Sequence, residues 1–268
     1  MSDSGGYGDK RFSLIAALGL LVALASAVAL AVGAYGYREQ MFDVRFALLT
    51  VNQYASYAGA VAAALGLIAI GATLPGGRRR GFVIALLALV IGGGAAGYIG
   101  YLYWQVETLP YIHDITTDLE NPPQFVAATA VRVREGAPNP PEYDGPDAAL
   151  QQRYGTLRGR EGYTGLEPLV VAVPAAEVFD KALALIEQRG WEVIESDGTA
   201  GRIEATDTSR FYLFKDDVVI RLTPSGEGTA IGTRVDMRSK SRIGRSDLGV
   251  NAQRIAEFLG ALRNAVGG

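Results

Sequence analysis

The chain has 268 residues, no cysteine and a single histidine, and its formal net charge is −3. Those counts exclude disulfides, thiolate chemistry, cysteine-based metal centres and any multi-histidine metal site within one chain. A balance this close to neutral, with no zinc-finger or RNA-binding signature, also argues against nucleic acid as a partner.

The average hides two solvents. Up to Gln105 the sequence is dominated by Ala, Leu, Gly and Val, and its few charges fall almost wholly outside the apolar runs. From Val106 onward it reads as an ordinary soluble domain. Residues 1–11 form a short tail, 12–105 a membrane region and 106–268 a separate domain. A helix needs about 20 apolar residues to cross the hydrocarbon, where the backbone satisfies its hydrogen bonds only internally. Three stretches meet that length, at about 12–35, 54–74 (with room for a start several residues earlier) and 82–103. The third ends in Tyr98, Tyr101, Tyr103 and Trp104, rings suited to the headgroup boundary. Ala27-Val28-Ala29 resembles a signal-peptide cleavage site, but the apolar run exceeds the usual h-region, so the first stretch is read as a span.

Lys10 and Arg11 precede the first span, and Arg78, Arg79 and Arg80 fill the loop between the second and third. Arg38 and Arg45 lie on the other side, offset by Glu39 and Asp43. The positive-inside rule then places the N-terminus in the cytoplasm and the C-terminal domain outside it, in the periplasm or its equivalent, with the protein in the cytoplasmic membrane. Glycines 59, 66, 92, 93, 94, 97 and 100 allow close helix packing among the three spans; the sharper alternative is a face for another membrane protein or a second copy. Membrane lipids are the other expected partner. No charge sits deep in a span, which argues against a transporter.

In the C-terminal domain, Pro122-Pro123 enforces an extended entry segment, residues 135–147 read as a surface loop, and 148–154 admits a short helix. A strand follows at 169–173, a helix at 174–189 with Pro174 at its start and Gly190 past its end, and a strand at 191–196. Residues 202–208 alternate, as do those around Val218, Ile220 and Leu222. The next strand turns Ile231, Thr233, Val235 and Met237 inward and Arg234, Asp236 and Arg238 outward. A last helix runs from about Asp247 to Ala265. The expected fold is α+β, an antiparallel sheet with two helices on one face.

Three places carry candidate chemistry. Residues 238–247 gather Arg238, Ser239, Ser241, Arg242, Arg245 and Ser246 ahead of a helix start, where free N–H groups and the dipole favour an anion. The structural alternative is that Ser246 or Asp247 caps the helix while the arginines pair with acids. Residues 106–209 carry a net −10 and 210–268 a net +4, so such pairing is electrostatically natural. His113 beside Asp114 offers a general base held in its tautomer by a carboxylate, though no nucleophile accompanies it. Asp114, Asp118 and Glu120 offer oxygen ligands without EF-hand spacing; the favoured reading is that Asp114, Thr116 and Thr117 tie down the extended segment, and neither metal nor cofactor is expected. Phe211, Tyr212 and Phe214 suit a sheet edge or core better than the mouth of a lipid pocket.

The blocks His113-Asp-Ile-Thr-Thr-Asp118, Pro122-Pro123-Gln-Phe125, Gly201-Arg-Ile-Glu-Ala205, Phe214-Lys-Asp-Asp-Val218, Val235-Asp-Met-Arg-Ser239 and Ser241-Arg-Ile-Gly-Arg-Ser-Asp-Leu-Gly-Val-Asn251 resemble a bacterial and plastid family known only as a domain of unknown function. The resemblance covers about residues 106–264, departs at the polar stretch 153–167, and implies a domain boundary without an activity. The residues therefore favour a non-enzymatic binding or accessory domain on a membrane anchor. A hydrolase or lipid-modifying enzyme using His113 and Asp114, and a periplasmic lipid or isoprenoid binder, are the alternatives.

Overall fold

The computed structural model describes residues 11–74, 77–155, 162–163, 166–225 and 232–267. It divides the chain into two compact units, 1–104 and 105–268. Of the residues named above, Lys10 and Ile231 fall outside the described ones, as does much of the stretch 153–167.

The first unit is built from α1 (Leu14–Arg38), α2 (Asn52–Thr73) and α3 (Phe82–Thr108). Ser13 caps α1, its hydroxyl accepting the Ala16 N–H. A π-helical turn, Phe46–Val51, leads directly into α2, and the Asp43 carboxylate accepts the N–H groups of Arg45 and Phe46 ahead of it. The second helical stretch therefore starts at Phe46, earlier than the apolar run alone indicated. The three stretches are 25, 28 and 27 residues long, roughly 40 Å each and sufficient to cross a bilayer.

Their packing is the inverse of a water-soluble bundle. Ala16, Gly19, Ala23 and Ser26 of α1 are buried, while Leu14, Leu18, Leu21 and Leu24 point outward. Small residues in and large ones out is how helices associate where the surroundings are as apolar as leucine. Ser26 donates its hydroxyl to the Ala55 carbonyl of α2 at 2.7 Å. Between α2 and α3 the backbones nearly touch: a Cβ on Gly59 would lie 2.7 Å from the Gly92 carbonyl oxygen, and one on Gly66 would lie 2.7 Å from the Leu89 nitrogen. Gly94, Gly97 and Gly100 meet nothing within 4 Å. The glycines thus divide into a set that packs the three helices and a set facing outward.

The second unit has the expected α+β character with additions before the first expected strand. In order it contains β1 (Asp114–Thr116), α4 (Ala127–Arg134), α5 (Pro146–Tyr154), β2 (Leu169–Val171), α6 (Ala175–Gln188), β3 (Glu192–Asp197), β4 (Arg202–Thr208), β5 (Lys215–Ser225), β6 (Gly232–Ser241) and α7 (Val250–Val266). The sheet is antiparallel throughout, ordered β1-β6-β5-β4-β3, with β2 also pairing β6. From β2 onward the elements are those the hydrophobic periodicity gives; β1 and α4 were not foreseen.

One sheet face is the apolar core. Ile203, Ala205, Val218, Ile220, Leu222, Val235 and Met237 meet Val178, Ala182 and Ile186 of α6 and Ile255, Phe258 and Leu262 of α7. Trp191 stacks on Phe258 with centroids 5.5 Å apart. The opposite face is covered as well. Phe125 and Ala128 pack on Val219 there, and the segment 117–155 lies over the strands. Arg238 and Asp236, expected to face solvent, are fully buried beneath it, and Arg234 is partly covered.

Candidate functional site

Alternation along β4, β5 and β6 puts Glu204, Thr206, Asp217, Asp236, Arg238 and Lys240 on the second face, each at most 1% exposed. Charges can be removed from water at such cost only when paired and fully hydrogen-bonded. They are. Arg238 makes a bidentate pair with Asp114, Nε to Oδ1 at 2.8 Å and Nη2 to Oδ2 at 2.9 Å, while Lys240 reaches Asp114 at 3.2 Å and Asp144 at 2.6 Å. Asp217 accepts from Arg132 at 2.8 Å, from two nitrogens of Arg242 at 2.9 and 2.7 Å, and from the Thr206 hydroxyl at 2.7 Å. Asp118 and Asp236 share Arg221 and Arg234.

Backbone donors join the lattice. Glu204 accepts the N–H groups of Val126, Ala127 and Ala128 at 2.8, 3.3 and 2.8 Å. A strand carboxylate thereby caps α4, which has no side-chain cap of its own. Gln152 of α5 donates to the Thr116 carbonyl and accepts the Thr116 N–H, pinning α5 to β1.

The anion-binding candidates are not brought together. Arg238 lies on the charged face, whereas Ser239 and Ser241 lie on the α7 face, where Asn251 and Arg254 bond them. Arg242 is buried against Asp217 and Glu135. Arg245 is exposed, its guanidinium 5.3 Å from the Tyr111 ring centroid. Ser246 accepts the Leu248 N–H at 3.4 Å. The helix begins at Val250, later than expected, and Asp247 accepts the N–H groups of Gly249 and Asn251 just before it.

His113 precedes β1 and its imidazole lies against Asp144, so His113 and Asp114 do not form the couple that their adjacency suggested. Asp114 is committed to Arg238 and Lys240; the nearer carboxylate to His113 is Asp144, with Oδ2 3.3 Å from Nε2. Burial holds the His113 pKa below its usual value, against the opposing pull of Asp144. Asp118 pairs with two arginines and accepts the N–H groups of Glu120 and Asn121, consistent with a role in holding the extended segment. Among the described residues no group of three or more metal-ligating side chains forms.

A cleft of about 390 Å³ opens beside this segment, its charged wall made by Asp118, Glu120, Arg153, Glu167 and Arg234 with Gln152 and Tyr163 between. Phe211, Tyr212 and Phe214 do not line it. Sequence reasoning missed Arg132, Asp144, Glu204, Asp217 and Lys240. The available signal was complementary charge in register: Asp217 lies opposite Lys240, and Arg221 opposite Asp236.

These features define an α+β domain with one apolar and one ion-paired face, preceded by three helices long and apolar enough to cross a membrane. Residues 114–262, more than half the chain, match the family described as "Protein of unknown function (DUF1499)", and the chain belongs to that family. Comparison with curated proteins gives no match.

Proposed function

We propose that the chain is a non-enzymatic accessory module, anchored by three membrane spans, whose C-terminal domain binds a partner on the exterior face of the cytoplasmic membrane. The observation that carries this reading is the engagement of the buried ionisable groups with one another. Asp114, Asp217 and Asp236 each hold cations in place, which makes a rigid scaffold rather than a set of groups poised for proton transfer. Binding capacity is then sought where polar groups meet solvent: the cleft beside Asp118, and exposed Arg245 with Ser246, which would take an anionic group. The outward glycines 94, 97 and 100 offer a spanning partner, or a second copy, a close approach.

Isolation of the full-length protein in mild detergent, followed by identification of what accompanies it, tests the proposal. A stoichiometric protein or lipid companion is expected; monomers carrying neither would overturn it. One observation favours a second reading, in which His113 acts as a base: burial keeps the imidazole neutral near pH 7, and Asp144 stands beside it. His113→Ala would then abolish complementation of a deletion strain, and full complementation by that variant would end the enzymatic reading.

A further inference from the structure

The turn between β4 and β5, residues 209–214, exposes more apolar surface than a hairpin connection requires. Phe211 is 75% exposed and Leu213 42%. The turn is nonetheless ordered: Ser209 donates its N–H to the Phe214 carbonyl at 2.8 Å, its hydroxyl accepts the Phe214 N–H at 2.9 Å, and Tyr212 stacks on Phe214. Leu213 has φ 54°, a region where Gly or Asn is the unstrained choice. A leucine there keeps an apolar side chain at the apex against the backbone's preference. Arg210 flanks the apex, exposed and without an ion pair among the described residues.

The strand register fixes which way the turn points. Asp114, Lys240, Asp217 and Thr206 lie level across β1, β6, β5 and β4. The chain enters β1 at Asp114, so it arrives at the same end of the sheet from which the β4–β5 turn projects. Three strand spacings, roughly 14 Å, separate the two. Only residues 109–113 connect the end of α3 to β1, a reach of about 17 Å at full extension. Tyr111, half exposed, and Arg245 over its ring belong to this same end.

We propose that the Phe211–Leu213 apex is a membrane-interface anchor, its side chains seated at the headgroup boundary of a bilayer and Arg210 and Arg245 at the level of anionic phosphates. The inference rests on the three helices being membrane spans, since a connection this short allows this sheet end to reach lipid. Lipid is favoured over a protein because the apex is a convex tip of two side chains. That is far smaller than the ~800 Å² per partner of a stable protein interface, but is the arrangement of an aromatic and basic interfacial contact.

The cysteine-free sequence permits a direct test. Single variants Phe211→Cys, Ala200→Cys (in the β3–β4 turn at the opposite sheet end) and Val90→Cys (outward on α3) are made in the full-length chain and spin-labelled. They are reconstituted into vesicles of phosphatidylethanolamine and phosphatidylglycerol. Collisions with oxygen, which concentrates in lipid, and with a water-soluble nickel chelate are measured at each. The expected result is that oxygen exceeds nickel at 90 and at 211 and that the order inverts at 200. Adding Leu213→Asn, which the φ tolerates, should move the 211 label toward water. A 211 label as open to nickel as that at 200 overturns the anchor and leaves the spans standing. A label shielded from both reagents identifies a protein contact and overturns it equally. A water-like label at 90 removes the membrane reading, and the anchor with it.

Discussion

At the scale of single residues, the buried charges are where sequence changes cost most. Asp217 is fully buried and holds both Arg132 and Arg242. Removing one member of a buried ion pair leaves an uncompensated charge and costs about 3–5 kcal/mol. Asp217→Ala should lose stability of that order in denaturant unfolding of the detergent-solubilised chain, followed through buried Trp191. Arg132→Met should lose less, because Asp217 keeps Arg242; equal losses would show that the pairing is not what the aspartate contributes. Asp247 makes a pH prediction. Burial pushes it up to about 6 from the usual 3.8, with the N–H of Gly249 opposing and Asp216 adding to the rise. The folded state therefore binds its proton more tightly than the unfolded chain, so its stabilising contribution is complete below 3.8 and is lost as pH rises through about 6. His113 works the other way: held below 6.5, it favours the folded state above that pH and withdraws the benefit as pH falls. Subtracting the profile of Asp247→Asn from that of the parent isolates the contribution of the aspartate. The difference should grow between about pH 4 and 6 in favour of the variant; a flat difference would exclude the shift.

At the scale of elements, the sequence displayed one face of the sheet and concealed the other. Period-two alternation in β4, β5 and β6 and the apolar stripes of α6 and α7 point to the same layer, because burial of apolar surface has a periodic signature. The charged positions at the intervening sites have that signature in reverse and read as solvent-facing. What covers them is residues 117–155, in which α4 carries Arg132 and Arg134 among alanines and valines and has no apolar stripe to announce it. The three-residue β1 is too short for any period to be seen. The −10 and +4 blocks were the legible trace of this face: opposite charges divided along the chain meet across it, as Asp114 with Arg238 and Glu135 with Arg242. The site suffered from the same blindness, since Arg238 and Ser239 are adjacent in sequence but their side chains lie on opposite faces of the sheet. In the first unit the glycine pattern was legible as close packing, and geometry divides it further. A side chain at Gly92 would strike the Gly59 carbonyl and Ala62, while one at Gly97 meets nothing. Gly92→Leu should force α2 and α3 apart and lower the thermal midpoint in detergent, whereas Gly97→Leu should leave the midpoint unchanged. If Gly97→Leu also abolishes a crosslinked dimer or a co-purifying partner, the outward glycines are an interface; if association persists, they are not.

At the scale of the whole molecule, the direction of the spans decides which compartment the C-terminal domain serves. Arg80 donates its backbone N–H to the Arg11 carbonyl at 3.1 Å, and Ser13 donates to the Arg80 carbonyl at 3.0 Å. The start of α1 and the loop before α3 therefore share one end, with Arg11, Arg78, Arg79 and Arg80 together there, while Arg38 and Arg45 follow α1 at the other. Basic residues are retained in the cytosol during insertion, and acidic neighbours contribute little, so the end with more of them stays inside. The chain leaves α3 at the opposite end, and on that rule we propose that the C-terminal domain lies outside. A periplasm-dependent reporter such as a phosphatase, fused after Gly268, should be active, and a cytosol-dependent one such as a galactosidase inactive. Replacing Arg78, Arg79 and Arg80 by glutamine should abolish that preference, because Lys10 and Arg11 then only balance Arg38 and Arg45. A galactosidase fusion active in the parent chain would turn the domain to the cytosol. The proposed partner would then have to be sought there, while the reach of the Phe211 turn to the bilayer, which depends on the length of the connection and not on its side, would be unaffected.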